Sequence, residues 1–244
     1  LDYSMMYYIF PFEDLITVEF RKYNPGASGE PNRTAWPLRN YVWGTSGPKF
    51  VHDLEQTVSV PSIRYGIVDS FNTAWRFKLE HIVSSDYTIP GDQIIRYPEV
   101  SDDSRYTFSL FAFPEEQYPQ TITEFFQFSR DYYNQHGYRC NLLDVGYRIA
   151  QDRNALLSYS FDGPVMTIDP VSTGNPGWRD FLAAYNQFCS DRNGSPLLNQ
   201  TFGITPEIAK KAFGVRLAAF EETRKAYDPG NRLLNDYFRS VLGA

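Results

Sequence analysis

Basic residues are the scarcer charge in this sequence of 244 residues. Lys and Arg number 23 against 29 Asp and Glu, which gives a formal net charge of −6 at pH 7. No cluster of Lys and Arg offsets this excess, so the chain has little with which to hold a phosphate backbone. We therefore expect no nucleic-acid partner.

Long apolar runs are also absent. The longest near the start, residues 3–12, is ten residues long and contains Pro11, whereas a membrane-spanning helix needs about 20 apolar residues. No basic segment followed by an apolar run marks a signal peptide. We predict no transmembrane segment. Because an apolar run begins within three residues of Leu1, we also expect residues 1–244 to be a single domain of a longer polypeptide.

Cysteine and histidine are too few to define a framework. Cys140 and Cys189 allow one disulfide bridge or two buried thiols, and the sequence leaves both open. His52, His81 and His136 are distant in sequence from each other and from both cysteines. We therefore expect no metal site.

Glycine-rich motifs are missing. No two of the sixteen glycines are adjacent or separated by a single residue, which excludes a dinucleotide-binding loop of the G-x-G-x-x-G type and a Walker loop. No G-x-S-x-G nucleophile elbow occurs either. The chain by itself therefore carries none of these cofactor or nucleophile motifs.

The pattern of apolar residues predicts an α+β fold. Residues 4–10 and 15–23 predict an N-terminal hairpin, residues 24–50 an irregular stretch and residues 51–100 a mixture of short elements, with Pro90-Gly91 as a turn. From residue 105 the order becomes β-α-β-β-α-β, which is typical of an antiparallel or mixed sheet with helices on one face and a ferredoxin-like split core. The predicted elements are strand 106–113, helix 119–136, strand 142–149, strand 155–160 continuing at 165–169, helix 178–189 and strand 195–200.

Aromatic residues are unusually frequent in this sequence, which contains 18 Tyr and 19 Phe. Their rings either pack against both faces of a wide sheet or line one face of the sheet that covers a ligand cavity. In such a cavity Tyr supplies both apolar surface and a hydroxyl. Arg148 is the exception within the apolar run 145–149. It either pairs with a surface acid or contributes a positive charge to a site.

Residues 226–238, Ala-Tyr-Asp-Pro-Gly-Asn-Arg-Leu-Leu-Asn-Asp-Tyr-Phe, resemble the segment that closes the substrate-binding (cap) domain in FAD-linked oxidases of the vanillyl-alcohol oxidase superfamily. Residues 7–13, 108–116 and 143–148 resemble, in the same order, the opening strand, the strand before the long helix and the strand that carries Glu-x-Arg. The resemblance covers residues 1–23 and 105–244 and is nearest to the bacterial class II cholesterol oxidases.

The resemblance implies an FAD-dependent oxidase that acts on a hydroxyl, with hydride passing to the flavin and O₂ as acceptor. The FAD-binding domain would lie upstream in the same polypeptide and hold most of the FAD. Of the polar residues that alditol-oxidising relatives place near the flavin, only Arg148 is matched. Gly146 falls at the Glu position, Ile168 near the His position, and residues 197–200 on a His-Trp-Gly-Lys stretch. These exchanges predict a small, apolar, sterol-like alcohol as substrate.

The resemblance also assigns roles to single residues. Arg148 would be catalytic, stabilising negative charge on the reduced flavin or the substrate. The alternatives are the cap domain of a sugar or aldonolactone oxidase or dehydrogenase, and a non-catalytic ligand-binding domain of the same fold. The predicted substrate-binding residues are Tyr147, Asn199, Gln200, Ile168 and Leu198, and the predicted FAD-contacting residues are Asn235 and Tyr237.

Overall fold

The computed structural model describes residues 3–22, 35–83 and 102–243. A six-stranded antiparallel sheet forms its centre, and a two-stranded sheet pairs β3 with β7. The strands are β1 (Ser4–Phe10), β2 (Leu15–Arg21), β3 (Thr107–Phe108), β4 (Phe111–Pro114), β5 (Asp144–Ile149), β6 (Val165–Ile168), β7 (Val171–Ser172) and β8 (Ser195–Pro196).

Helices pack around this sheet, and several have a proline at their first or second residue. Proline suits the first turn, because a backbone N–H at that position would have no hydrogen-bond partner within the helix. Thr205 caps α6 through its side chain, and α4 ends at Gly137 in the left-handed conformation. The helices are α1 (Ala35–Tyr41), α2 (Gly47–Thr57), α3 (Pro61–Lys78), α4 (Tyr118–His136), α5 (Trp178–Asp191), α6 (Pro206–Phe213), α7 (Val215–Tyr227) and α8 (Asp236–Leu242), with π-helical turns at Val42–Ser46 and Leu79–Val83.

The strand order of the large sheet is β2-β1-β5-β6-β4-β8. Within it, β4-α4-β5-β6-α5-β8 gives the order of a ferredoxin-like split core, and the N-terminal hairpin extends the sheet next to β5. The predicted α+β class, the split core and the hairpin are confirmed.

Strand β1 is buried on both sides. Its residues Met5, Tyr7 and Ile9 pack toward α4 and α5, and we call this side of the sheet the helix face. The alternate residues Met6, Tyr8 and Phe10 pack against Trp75 and Leu79, and we call that side the opposite face. Since successive side chains of a strand point to opposite sides, β1 lies between two layers of helix.

The second layer, α1 to α3, was not predicted. Residues 35–50 were expected to be irregular, yet they are helical from Ala35 onward. Pro48 and Pro61 suggested turns but lie in the first turns of α2 and α3, where proline is tolerated. Pro90-Gly91 lies outside the described residues.

Three predicted strands differ from the structure. Residues 106–113 divide into two short strands, β3 and β4, which belong to different sheets. Residues 155–160 form a loop, which the Arg216 guanidinium holds by donating to the carbonyls of Leu156 and Ser158. The last strand ends at Pro196, because the chain then turns and both Gln200 N–H and the Thr201 hydroxyl donate to Leu197 O. Side chains satisfy these backbone groups where a strand ladder was expected.

Tyrosine hydroxyls connect the core to β6. The Tyr7 and Tyr118 hydroxyls both donate to the carbonyl oxygen of Thr167, at 2.6 and 3.3 Å, and the Tyr185 hydroxyl donates to Ile168 O at 2.8 Å. Tyr7 lies on β1, so its ring must cross β5 to reach β6. It does so over Gly146, which lies opposite Tyr7 in the ladder and presents no side chain.

We predict that Gly146→Ala destabilises the protein by about 2 kcal/mol or more, since the added Cβ would overlap the Tyr7 ring and the Thr167 carbonyl. Gly163→Ala is the matched control, because its Cβ would meet no atom within 4 Å. Thermal and urea unfolding of the two variants measure the difference. Equal stability of both variants would contradict the steric role of Gly146.

Candidate functional site

Arg148 lies on the helix face, opposite Met5 and Met166 in the ladder. Its guanidinium forms two hydrogen bonds to the Glu115 carboxylate, Nε to Oε1 at 2.8 Å and Nη2 to Oε2 at 2.9 Å. This ion pair lowers the pKa of Glu115. Of the two interpretations left open by the sequence, the structure contains the pairing with an acid, and the catalytic role of Arg148 stays a prediction.

Tyr147 lies on the opposite face, across from Met6 in the ladder, so it does not face the same side as Arg148. Its backbone N–H donates to the Thr167 hydroxyl at 2.9 Å. A buried polar cluster adjoins it: the Arg39 guanidinium donates to the Tyr8 hydroxyl and lies 3.5 Å from the Glu19 carboxylate. Burial raises the pKa of Tyr8, and the neighbouring Arg39 opposes that shift. The sequence did not single out Arg39, because the resemblance is weak there.

The other predicted substrate residues do not converge on Tyr147. Ile168 is fully buried in the core of the helix face, and Leu198 packs against the same core. Asn199 is exposed and Gln200 is half-buried in the turn after β8. The predicted set is therefore divided between the two sides of the sheet.

The two residues predicted to contact FAD both have structural partners in the region of α8. The Asn235 side chain caps that helix by accepting from Phe238 N–H at 2.9 Å. The Tyr237 hydroxyl donates to Thr201 O at 2.9 Å, and burial raises its pKa to about 12. These contacts join α8 to the turn that carries Asn199 and Gln200.

An aromatic groove that the sequence did not locate lies on the opposite face. Its free volume is about 20 Å³, about the space of one water molecule. The rings of Trp43 and Tyr106 lie 6.4 Å apart, and Trp43 also contacts Tyr8 of the polar cluster. Asn72 is the one amide side chain in a lining that is otherwise apolar or aromatic; that lining includes Val42, Trp43, Phe71, Trp75, Tyr106 and Leu142.

Two buried carboxyl groups lie at the start of β5 and just after β6. Asp144 accepts a hydrogen bond from Val171 N–H at 3.2 Å, and burial raises its pKa to about 8. Burial and the nearby Asp144 raise the pKa of Asp169 well above its usual range. Oδ1 of Asp169 is buried and has no hydrogen-bond partner among the residues that the structure describes. Both carboxyl groups therefore favour the protonated form.

A cavity of about 40 Å³ with a lining of both apolar and polar side chains adjoins Asp144 and has space for a bound water. Ser129 also lines it, and the Ser129 hydroxyl has no partner within the described part of the chain. Cys140 lines the same cavity, and both Cys140 and Cys189 are free thiols. No disulfide links them.

We predict that the protein loses stability as the pH rises from about 4 to about 8. In this window the folded Asp144 keeps a proton that the unfolded chain releases, so each pH unit lowers the free energy of unfolding by up to about 1.4 kcal/mol per group. Asp144→Asn should flatten the dependence, and the exposed Glu116→Gln should not. Melting temperatures across this window provide the measurement, and equal slopes in all three proteins would refute the assignment.

The described residues contain neither a metal-site candidate nor a helix that could span a membrane. Across residues 3–22, 35–83 and 102–243 no three His, Cys, Asp or Glu side chains converge as a metal ion would require. Within the same ranges, no helix combines the length and hydropathy needed to cross a bilayer. No protein-family model matches the chain, and no curated protein matches it either.

Proposed function

We propose that this chain is the substrate-binding domain of an FAD-dependent oxidase that oxidises a hydroxyl of an apolar, sterol-like alcohol. The split core with an added N-terminal hairpin supports this proposal, because it is the fold that the resemblance to the vanillyl-alcohol oxidase superfamily implies. In such an enzyme the flavin accepts a hydride from the substrate and O₂ then reoxidises it.

The observation that carries the proposal is the aromatic groove on the face opposite α4 and α5. Its walls are Trp, Phe, Tyr and aliphatic side chains, which stabilise a bound apolar ring by about 25 cal/mol for each Å² removed from water. A polyol would bury several hydroxyls there against a single amide, Asn72, at a cost of about 1–3 kcal/mol for each unpaired group. The lining therefore favours a ring alcohol over a sugar alcohol, and the groove, with a free volume of about 20 Å³, would have to widen to admit the ring.

The described residues do not form a cradle for FAD. The Asn235 oxygen and the Tyr237 hydroxyl hydrogen are bonded to backbone, and Arg148 is bonded to Glu115. The FAD would be held by the domain that we expect upstream. This chain would bind and orient the substrate ring and exclude water from it. The face of the sheet that carries Tyr147 would be turned toward the flavin.

We predict that the chain alone binds the fluorescent sterol dehydroergosterol and that cholesterol displaces it. Energy transfer from Trp43 and Trp75, which lie in the groove, measures binding. Asn72→Phe would fill the groove and weaken binding about tenfold or more, a loss of about 1.4 kcal/mol. Ser70→Phe is the matched control, since Ser70 lies two residues away on the exposed side of α3.

Displacement of the sterol by xylitol or an aldonolactone at similar concentration would favour the sugar-oxidase alternative. Tight sterol binding by a full-length protein that carries no flavin would favour the non-catalytic alternative. Failure of the chain to bind any ring alcohol would remove the main support for the proposal.

A second prediction concerns Arg148 in the full-length flavoprotein. If its guanidinium acts on the reacting groups, Arg148→Ala slows anaerobic flavin bleaching by about 10² to 10³, as expected for a lost charge-stabilising donor. Glu115→Ala, the matched control, removes the same ion pair and leaves Arg148 in place. If the ion pair is the only role of Arg148, both variants keep the bleaching rate and lose at most about 1 kcal/mol of stability.

A further inference from the structure

The two edges of the six-stranded sheet differ in how they are protected. At one edge β8 is two residues long and contains Pro196, which cannot donate to a further strand. At the other edge β2 is seven residues long and contains neither Pro nor Gly, and its two charged residues, Glu19 and Arg21, pair with each other on the opposite face. Natural sheets usually shorten, charge or interrupt an edge of this length, since its backbone can pair with another strand.

The helix face of β2 is apolar and exposed. Val18 and Phe20 are 43% and 65% exposed, and Tyr3, which is 48% exposed, contacts the Phe20 ring edge-on at 6.3 Å. The opposite face of the strand is occupied, because the Thr17 hydroxyl donates to Glu80 at 2.9 Å. Within residues 3–22, 35–83 and 102–243 no further strand pairs with β2, so the apolar side chains beside this edge indicate a surface on which a strand of another chain can lie.

The sequence of β2 is complementary to itself in one antiparallel register. When Val18 pairs with Val18 of a second copy, Ile16 lies opposite Phe20 and Asp14 lies opposite Lys22, so each end places an acid against a base. Shifting the centre to Glu19 puts two carboxylates face to face, and shifting it to Thr17 puts Asp14 opposite Phe20. A one-residue shift of one strand, which pairs Val18 with Glu19, would place apolar residues opposite polar ones.

The charges at the two ends are accessible. The Asp14 side chain is 68% exposed, although it also contacts Arg130, and Lys22 is exposed beside the Tyr3 ring. The register centred on Val18 therefore combines an apolar centre with opposite charges at both ends. This complementarity identifies the occupant of the edge as a second copy of the same chain.

We propose that two copies of this chain associate through antiparallel pairing of their β2 strands, centred on Val18, so that one continuous sheet crosses the dimer. The contact is isologous, with the same residues on both sides of a two-fold axis. A single strand pair is smaller than a standard interface, so we expect a reversible dimer with a dissociation constant in about the micromolar range.

Sedimentation velocity of the chain at about 1 to 100 μM tests the proposal. We expect the wild type to shift from monomer to dimer over this range and Val18→Lys, which places two lysines at the two-fold axis, to remain monomeric. Val215→Lys is the matched control, because Val215 is 85% exposed on α7, a helix outside the sheet. Circular dichroism checks that each variant is folded.

Charge exchange tests the register separately. Lys22→Glu should weaken the dimer about tenfold by facing Asp14, and Asp14→Lys combined with Lys22→Glu should restore it. A wild type that stays monomeric at the highest concentration would overturn the proposal. A dimer that survives Val18→Lys, or association that continues beyond two copies, would also overturn it.

Discussion

The packing of Tyr7 across β5 is the constraint on which the rest of the fold depends. Its ring occupies the space above Gly146, and its hydroxyl reaches the Thr167 carbonyl two strands away. This single side chain thereby fixes the spacing of β1, β5 and β6 and joins the N-terminal hairpin to the split core. Burial raises the pKa of Tyr7 far above its ordinary value, so the hydroxyl remains a donor at every physiological pH.

The same contact explains why the expected site is divided. The resemblance places a catalytic Glu at Gly146, but a side chain at that position would collide with Tyr7. Arg148, two residues along the strand, lies on the same side and pairs with Glu115 at the border of the helix layer. The aromatic side chains of the groove lie on the other side of the sheet from Arg148.

The sequence predicts the fold well where its pattern is periodic. The aromatic and β-branched residues of 4–10 and 15–23 indicate the hairpin, and the 3.6-residue spacing of residues 119–136 and 178–189 indicates the two core helices. The structure has all of them. The pattern fails where tertiary contacts decide. Residues 155–160 resemble a strand but are held in a loop by Arg216, and α2 and α3 begin at Gly47-Pro48 and at Pro61, which suggest turns.

The candidate site was less predictable because burial and partners cannot be read from residue types. Arg148 in an apolar run fits an ion pair as well as a catalytic donor, and only the position of Glu115 distinguishes them. The carboxyl of Asp144 is unremarkable in sequence, and its raised pKa follows from burial in the folded chain. The aromatic groove joins residues from α3, the π-helical turn before α2 and the segment before β5, which no local pattern brings together.

The burial of β1 on both sides has a consequence for local unfolding. Opening β1 would expose both hydrophobic clusters at once, whereas β2 lies at the edge of the sheet that the described residues form. Native-state hydrogen exchange should therefore rank the amides of β1, β5 and β6 as the slowest, exchanging only on global unfolding, and those of β2 as faster. The two strands of the hairpin would therefore belong to different cooperative unfolding units, although they are adjacent in sequence.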